Sequence, residues 1–83
     1  MTVLYFAWLR ERMGRSEEAL PLPPGVATVG GLIDWLRARD PAGSNAFAEG
    51  APIRAAVNQV FAAPDAPLAD ADEVAFFPPV TGG

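Results

Sequence analysis

Glu73-Val74-Ala75-Phe76-Phe77-Pro78-Pro79-Val80-Thr81-Gly82-Gly83 closes the chain. Its first five residues read as a final strand, rich in the β-branched and aromatic residues that suit a pleated surface. Pro78-Pro79 lock φ and lack the N–H that a ladder needs, so they end the pairing and project the remainder as a stiff, extended stem. From Pro78 to Gly83 that stem reaches roughly 20 Å, at about 3.3 Å per residue. Gly82 and Gly83 carry no Cβ and can thread a slot that any other residue would block. The reactive group on such a tip is the Gly83 α-carboxylate. Phe76 and Phe77 occupy adjacent strand positions and must point to opposite faces. We read Phe77, next to the stem, as the outward ring and a docking anchor, and Phe76 as the inward one.

Upstream of that strand, Thr2 to Leu9 is β-branched and aromatic and reads as a strand buried on both faces. Arg10 to Ser16 reads as a polar connection, and Glu17 to Leu22 as a weaker edge strand, forming a hairpin with the first. Thr28 is placed to cap a helix whose stripe is Val29, Leu32, Ile33 and Leu36, at i, i+3, i+4 and i+7. Pro41 stops that helix. Gly30-Gly31 in its first turn points to close packing of helix on sheet. A helical turn is expected around Asn45 to Glu49. Ile53 to Val57 and Val60 to Ala62 flank Asn58-Gln59, a hairpin turn in which asparagine tolerates positive φ. The order ββαβββ, without repeats or linkers, predicts an α+β roll of the ubiquitin type, a mixed sheet wrapped around one main helix. Residues 1–77 form this domain and residues 78–83 an extended tail.

Composition narrows the chemistry. At 83 residues, 51% hydrophobic and 19% charged, the chain makes one small globular domain. Cysteine and histidine are absent, which removes thiolate chemistry and the commonest general base and metal ligand. All six basic residues are arginine, so no lysine is present for a Schiff base or an isopeptide bond. A carrier on which another protein performs catalysis fits these side chains better than a self-contained enzyme. The formal charge of −4 argues against nucleic acid as a partner. The longest apolar stretch, which includes Tyr5 to Leu9, is far short of the ~20 residues that cross a bilayer. Without a secretory pattern at its start, the chain is expected to be cytoplasmic.

Asp70-Ala71-Asp72-Glu73 gathers carboxylates but lacks the spacing of a calcium loop, and it reads as a solvated turn before a strand. No metal site is expected. Arg10, Arg12 and Arg15 can meet an acidic partner surface or simply solvate a loop. Trp8 and Trp35 read as core.

At neutral pH the Gly83 carboxyl, with a pKa near ~3.5, is an unreactive carboxylate. ATP makes it an acyl donor by forming an acyl adenylate, which a thiol, persulfide or amine then attacks. Phe6-Ala7 followed by Arg10-Glu11, then Ala56-Val57-Asn58-Gln59, then Leu68 to Gly83 resemble the MoaD family, small subunits of molybdopterin synthase. The likeness spans the chain and is most specific over Leu68 to Gly83, departing at Ala71, where the family carries glycine.

The resemblance implies a β-grasp fold and a sulfur-carrier role in molybdenum cofactor biosynthesis. It implies a MoeB-like enzyme that uses ATP to adenylate the terminal glycine, and sulfur that converts it to a thiocarboxylate. It also implies a MoaE-like large subunit, in a heterotetramer, where cyclic pyranopterin monophosphate receives the sulfur. No cofactor is expected on this chain itself. Carried over by residue, Gly83 is the acyl and sulfur carrier and Gly82 gives clearance. Phe77, Pro78, Pro79 and Val80 dock the tail, and Phe6 and Arg10 belong to the partner surface. Rival readings are a carrier for another product such as the thiamin thiazole, a ubiquitin-like modifier joined to lysines elsewhere, and a simple binding module.

Overall fold

In the computed structural model, which describes residues 1–79, five strands form one mixed sheet with three helices packed against it. In chain order these are β1 (Thr2–Tyr5), α1 (Trp8–Met13), β2 (Glu17–Ala19), α2 (Val29–Arg39), α3 (Pro41–Ala46), β3 (Arg54–Val57), β4 (Val60–Ala62) and β5 (Glu73–Phe77). The sheet order is β2-β1-β5-β3-β4. Its centre is the parallel pair β1 and β5, the first and last strands, and antiparallel hairpins complete both sides. This is the β-grasp arrangement expected from the sequence.

Alternation along the central strands sets the core. Val3 and Tyr5 of β1 and Val74 and Phe76 of β5 are buried and meet Val29, Leu32 and Leu36 of α2. The expected stripe is therefore the buried face of α2, with Ile33 half-buried at its margin. Phe76, Tyr5 and Phe47 pack as an aromatic trio, Phe47 edge-on to Phe76 at 5.1 Å between ring centroids. Burying a ring of this size stabilises the fold by about 2–3 kcal/mol. Thr28 caps α2, its Oγ1 accepting from the Gly31 N–H at 3.1 Å.

Several local expectations change. The run Thr2 to Leu9 is not one strand: β1 ends at Tyr5, and the residues read as a polar connection lie partly in α1, which buries Leu9 and Met13 one turn apart. The break is at Ala7, held at φ 56°, ψ −133°. With the Leu9 N–H donating to the Phe6 carbonyl at 3.2 Å, this is the geometry of a type II′ turn.

The edge strand is also shorter than read, ending at Ala19 opposite Thr2. Pro41 both ends α2 and opens α3, which Asp40 caps by accepting from the Gly43 N–H at 2.7 Å. The helical turn expected around Asn45 to Glu49 thus begins earlier, at Pro41, and ends at Ala46. A Cβ on Gly43 would collide with the Leu36 carbonyl, so glycine is what lets α3 lie against α2. Gly30 serves loop packing instead of sheet packing: its N–H donates to the Pro64 carbonyl at 2.8 Å.

Asn58 and Gln59 both take positive φ, 49° and 69°, as a two-residue hairpin of this twist requires. The acidic turn is structural. Asp72 accepts from the Ala69 N–H at 2.8 Å and from Asn58 Nδ2 at 3.0 Å. Asp70 accepts from the Leu22 N–H at 2.7 Å. Among the described residues no helix is long and apolar enough to cross a membrane.

Candidate functional site

Two rows of side chains cross the outer face of the sheet, on the side away from α2. Strand pairing places Leu4, Ala75, Ala56 and Phe61 in one row, on β1, β5, β3 and β4. Phe77 and Arg54 oppose each other in the next. The small side chains of Ala75 and Ala56 leave room for Phe61 to lean toward Phe77, with ring centroids 5.8 Å apart. Phe76 is fully buried and Phe77 only half-buried, so the outward ring is Phe77, as read from the sequence.

Phe6 joins this face from the far side of β5. It is 48% exposed, and its N–H donates to the Phe76 carbonyl at 3.1 Å, extending the parallel ladder one residue past Tyr5. The Ala7 turn then swings the chain into α1, which carries the exposed Arg10. Pro78 and Pro79, both half-buried, continue from Phe77 as the root of the tail. Val80, Gly82 and Gly83, the rest of the expected site, lie outside the described residues.

The sequence reading missed Phe61. It is 81% exposed, and its neighbour Val60 is 68% exposed, on the edge strand of the sheet. A signal was available: the Asn58-Gln59 turn fixes Val57 opposite Val60 and Ala56 opposite Phe61. Knowing which face that is requires the pairing of β3 with β5, a long-range fact. Trp8 and Trp35 are half-buried against the core, each beneath an arginine, Arg12 over Trp8 at 4.5 Å and Arg39 over Trp35 at 5.3 Å.

The titratable groups with shifted pKa values serve the fold. Tyr5 Oη donates to Glu18 Oε2 at 2.7 Å, and Arg39 donates to both Glu18 oxygens at 2.7 and 3.0 Å. Burial, helped by the adjacent Glu18 carboxylate, pushes the Tyr5 hydroxyl far above its usual range. The Arg39 hydrogen bonds hold the Glu18 carboxyl below the ordinary carboxylate value. The Gly43 N–H does the same for Asp40, and the Ala69 N–H, with Asn58, for Asp72. These contacts tie β2 to the C-terminal end of α2 and α3 to α2. Among the described residues no group of histidine, cysteine or acidic side chains can hold a metal ion. The arrangement thus offers an apolar, three-ring surface at the root of a slender tail.

Comparison with known proteins gives a consistent picture. The family described as ThiS matches residues 3–83. The chain is 43% identical over 81 residues to the molybdopterin synthase sulfur carrier subunit of Escherichia coli (strain K12), covering 98% of this chain and 96% of that one. Among solved structures, a molybdopterin converting factor subunit 1 from Pyrococcus furiosus superposes with a TM-score of 0.75 at 34% identity, covering 95% of each chain. SAMP1 from Haloferax volcanii does so at 0.73 and 30% identity, covering 100% of this chain and 98% of that one.

Proposed function

The chain belongs to the ThiS family, among the ubiquitin-like carriers of the MoaD group, and we propose that it works as the sulfur carrier of molybdopterin synthase through Gly83. The observation that carries this reading is the pairing of an exposed aromatic surface with the tail root at Phe77-Pro78, in a fold that spends the Tyr5, Glu18 and Arg39 cluster on holding its elements together. Such a domain is built to be held by others while its tail is worked on.

The steps follow from the chemistry of a carboxylate. Inside a MoeB-like enzyme, a Gly83 carboxylate oxygen attacks the α-phosphate of ATP, and pyrophosphate leaves. Hydrosulfide then adds to the acyl carbon and AMP departs, leaving a thiocarboxylate; sulfur delivered as a persulfide first forms an acyl disulfide, which a thiol reduces to the same product. The activation is needed because the free carboxylate has no adequate leaving group. The tail next enters a MoaE-like large subunit, where cyclic pyranopterin monophosphate receives the sulfur. Phe6, Arg10, Phe61 and Phe77 hold the domain against the partner, Pro78, Pro79 and Val80 brace the stem, and Gly82 clears the slot. Proline keeps the stem extended before it binds, which lowers the ordering cost of insertion.

Intact-mass measurement tests this directly. Full-length protein incubated with its adenylating enzyme, ATP and a sulfur donor is expected to exchange one oxygen for sulfur at Gly83. An unchanged mass, where a known carrier is converted under the same conditions, would count against the reading.

A protein-modifier role is the second reading, favoured by similarity to a structure titled small archaeal modifier protein 1, at 32% identity. It predicts Gly83 joined to lysines of other proteins in adducts that survive reductant. The carrier reading predicts a free thiocarboxylate that reductant leaves unconjugated.

A further inference from the structure

A cleft beside the tail root holds a charge that the carrier chemistry does not use. It encloses about 430 Å³ and is lined by Arg54, Ala55, Phe61, Ala62, Ala63 and Phe77. Arg54 is exposed at the start of β3, directly opposite Phe77, and among the described residues its guanidinium meets no carboxylate. Other arginines are engaged: Arg15, Arg37 and Arg39 pair with acids, and Arg12 lies over Trp8. The acid on the same face of β5 is Glu73, paired with Thr2 four residues before Phe77, which is roughly 13 Å along a strand. Among the described residues, a chain with formal charge −4 thus leaves this arginine without an acid, in a cleft it lines together with Phe61 and Phe77.

We propose that this cleft receives an acidic side chain of the synthase large subunit, with the Arg54 guanidinium taking its carboxylate while Phe61 and Phe77 pack against the apolar residues beside it. The inference rests on the carrier reading and adds what the partner must present. Position argues for that occupant. The tail departs from Phe77, so a body that draws the tail into its own active centre comes to lie over the residue opposite Phe77. Chemistry argues for the charge: a guanidinium is a planar fork matched to a carboxylate, and nearby rings that exclude water strengthen the pair. A carboxylate at this point also sets the register of the domain about its tail, since charged groups across an interface fix orientation more than raw affinity.

The test is calorimetric titration of the full-length chain into the intact large subunit, for wild type, Arg54→Gln, Arg54→Lys and Phe6→Ala. Circular dichroism checks that each variant is folded. Arg54→Gln is expected to weaken binding roughly tenfold or more, with the difference shrinking as salt is raised. Arg54→Lys, which keeps the charge but not the fork, is expected to recover only part.

An unchanged Kd for Arg54→Gln beside a weakened Phe6→Ala overturns this proposal and leaves the carrier face standing. Unchanged values for both overturn this proposal and also remove Phe6 from the interface, while the carrier reading stands or falls on sulfur exchange at Gly83. Loss with Arg54→Gln alone keeps the acid-receiving cleft and removes Phe6 from the interface. If Arg54→Gln binds the large subunit normally but is adenylated slowly, the acid belongs to the activating enzyme and the proposal fails.

Discussion

The Phe6 N–H donates to the Phe76 carbonyl at 3.1 Å, tying the end of the first strand to the point where the last strand turns into the tail. Phe76 is sealed in the core, and the neighbouring Phe77 faces outward. One backbone bond therefore registers an exposed ring, Phe6, against the origin of the stem. The adjacent phenylalanines are predicted to fail in different ways. Phe76→Ala is expected to cost about 3–5 kcal/mol of stability, a large share of what a small domain has. Phe77→Ala is expected to fold with little loss yet bind the large subunit at least about tenfold more weakly. Urea unfolding and calorimetric binding, measured on both, separate the two effects.

Ala7 sits where a type II′ turn favours glycine, at φ 56°, and an L-residue there stores about 1 kcal/mol of strain or more. Ala7→Gly relieves strain but loosens the unfolded chain, so it is expected to be nearly neutral. A D-alanine at position 7, introduced by chemical synthesis, favours positive φ without that loss and is expected to raise stability by about 1 kcal/mol. Ala7→Val is expected to lower it by more than that. Urea midpoints at constant slope check the order.

That turn also explains what the sequence hides. Thr28, the stripe Val29, Leu32 and Leu36, the Asn58-Gln59 hairpin and the strand Glu73–Phe77 are local signals, and the structure places each as read. The helix after β1 is different. Phe6-Ala7-Trp8-Leu9 is as apolar and aromatic as the strand before it, and only the conformation of Ala7 divides them. Pro41, Gly43, Ser44 and Asn45 are poor helix formers, and α3 exists because Asp40 caps it and Gly43 fits against Leu36. Phe61 joins the aromatic surface only through strand pairings distant in the chain. Periodicity cannot see such contacts.

The Glu18 cluster predicts the response to acid. Arg39 holds the Glu18 carboxyl below its ordinary value, so the folded state releases that proton more readily than the unfolded chain does. The resulting stabilisation is present above the ordinary carboxylate value and is lost as pH falls through the lower folded one. Arg39→Gln is expected to destabilise the fold by roughly 2 kcal/mol at neutral pH, since it leaves the half-buried carboxylate short of partners. It is also expected to flatten the loss of stability between about pH 5 and pH 3. Thermal unfolding of wild type and variant across that range tests both statements.

Tyr5 is the chain's one tyrosine, which makes it a clean reporter at the other end of the scale. Burial and the Glu18 carboxylate raise its pKa, so the folded protein keeps the phenol protonated after an exposed tyrosine, near pH ~10, has ionised. A raised folded value means that its stabilising contribution is complete below the unfolded value and is lost as pH rises toward the folded one. The phenolate absorbance is therefore expected to stay silent through about pH 10 and to appear only together with unfolding. A normal titration in the folded protein would show that the Tyr5–Glu18 bond is not kept in solution.

The tail sets the last expectation. On the proposed mechanism, a tail that carries one carbonyl carbon into two successive active centres tolerates neither bulk nor added length at its tip. One extra alanine after Gly83 moves the terminal carboxylate by about 3.3 Å and adds a Cβ where the proposed slot is fitted to glycine. Misplacing a reacting atom by even about 1 Å can cost a hundredfold in rate, so sulfur delivery from the extended chain is expected to be abolished. The domain ends its pairing at Phe77, so its stability and its affinity for the large subunit through Phe6, Phe61 and Phe77 are expected to change little. Pterin conversion assayed beside binding affinity distinguishes a blocked tip from a lost interface. Normal conversion by the extended chain would mean that the reacting centre is reached without a fitted tail.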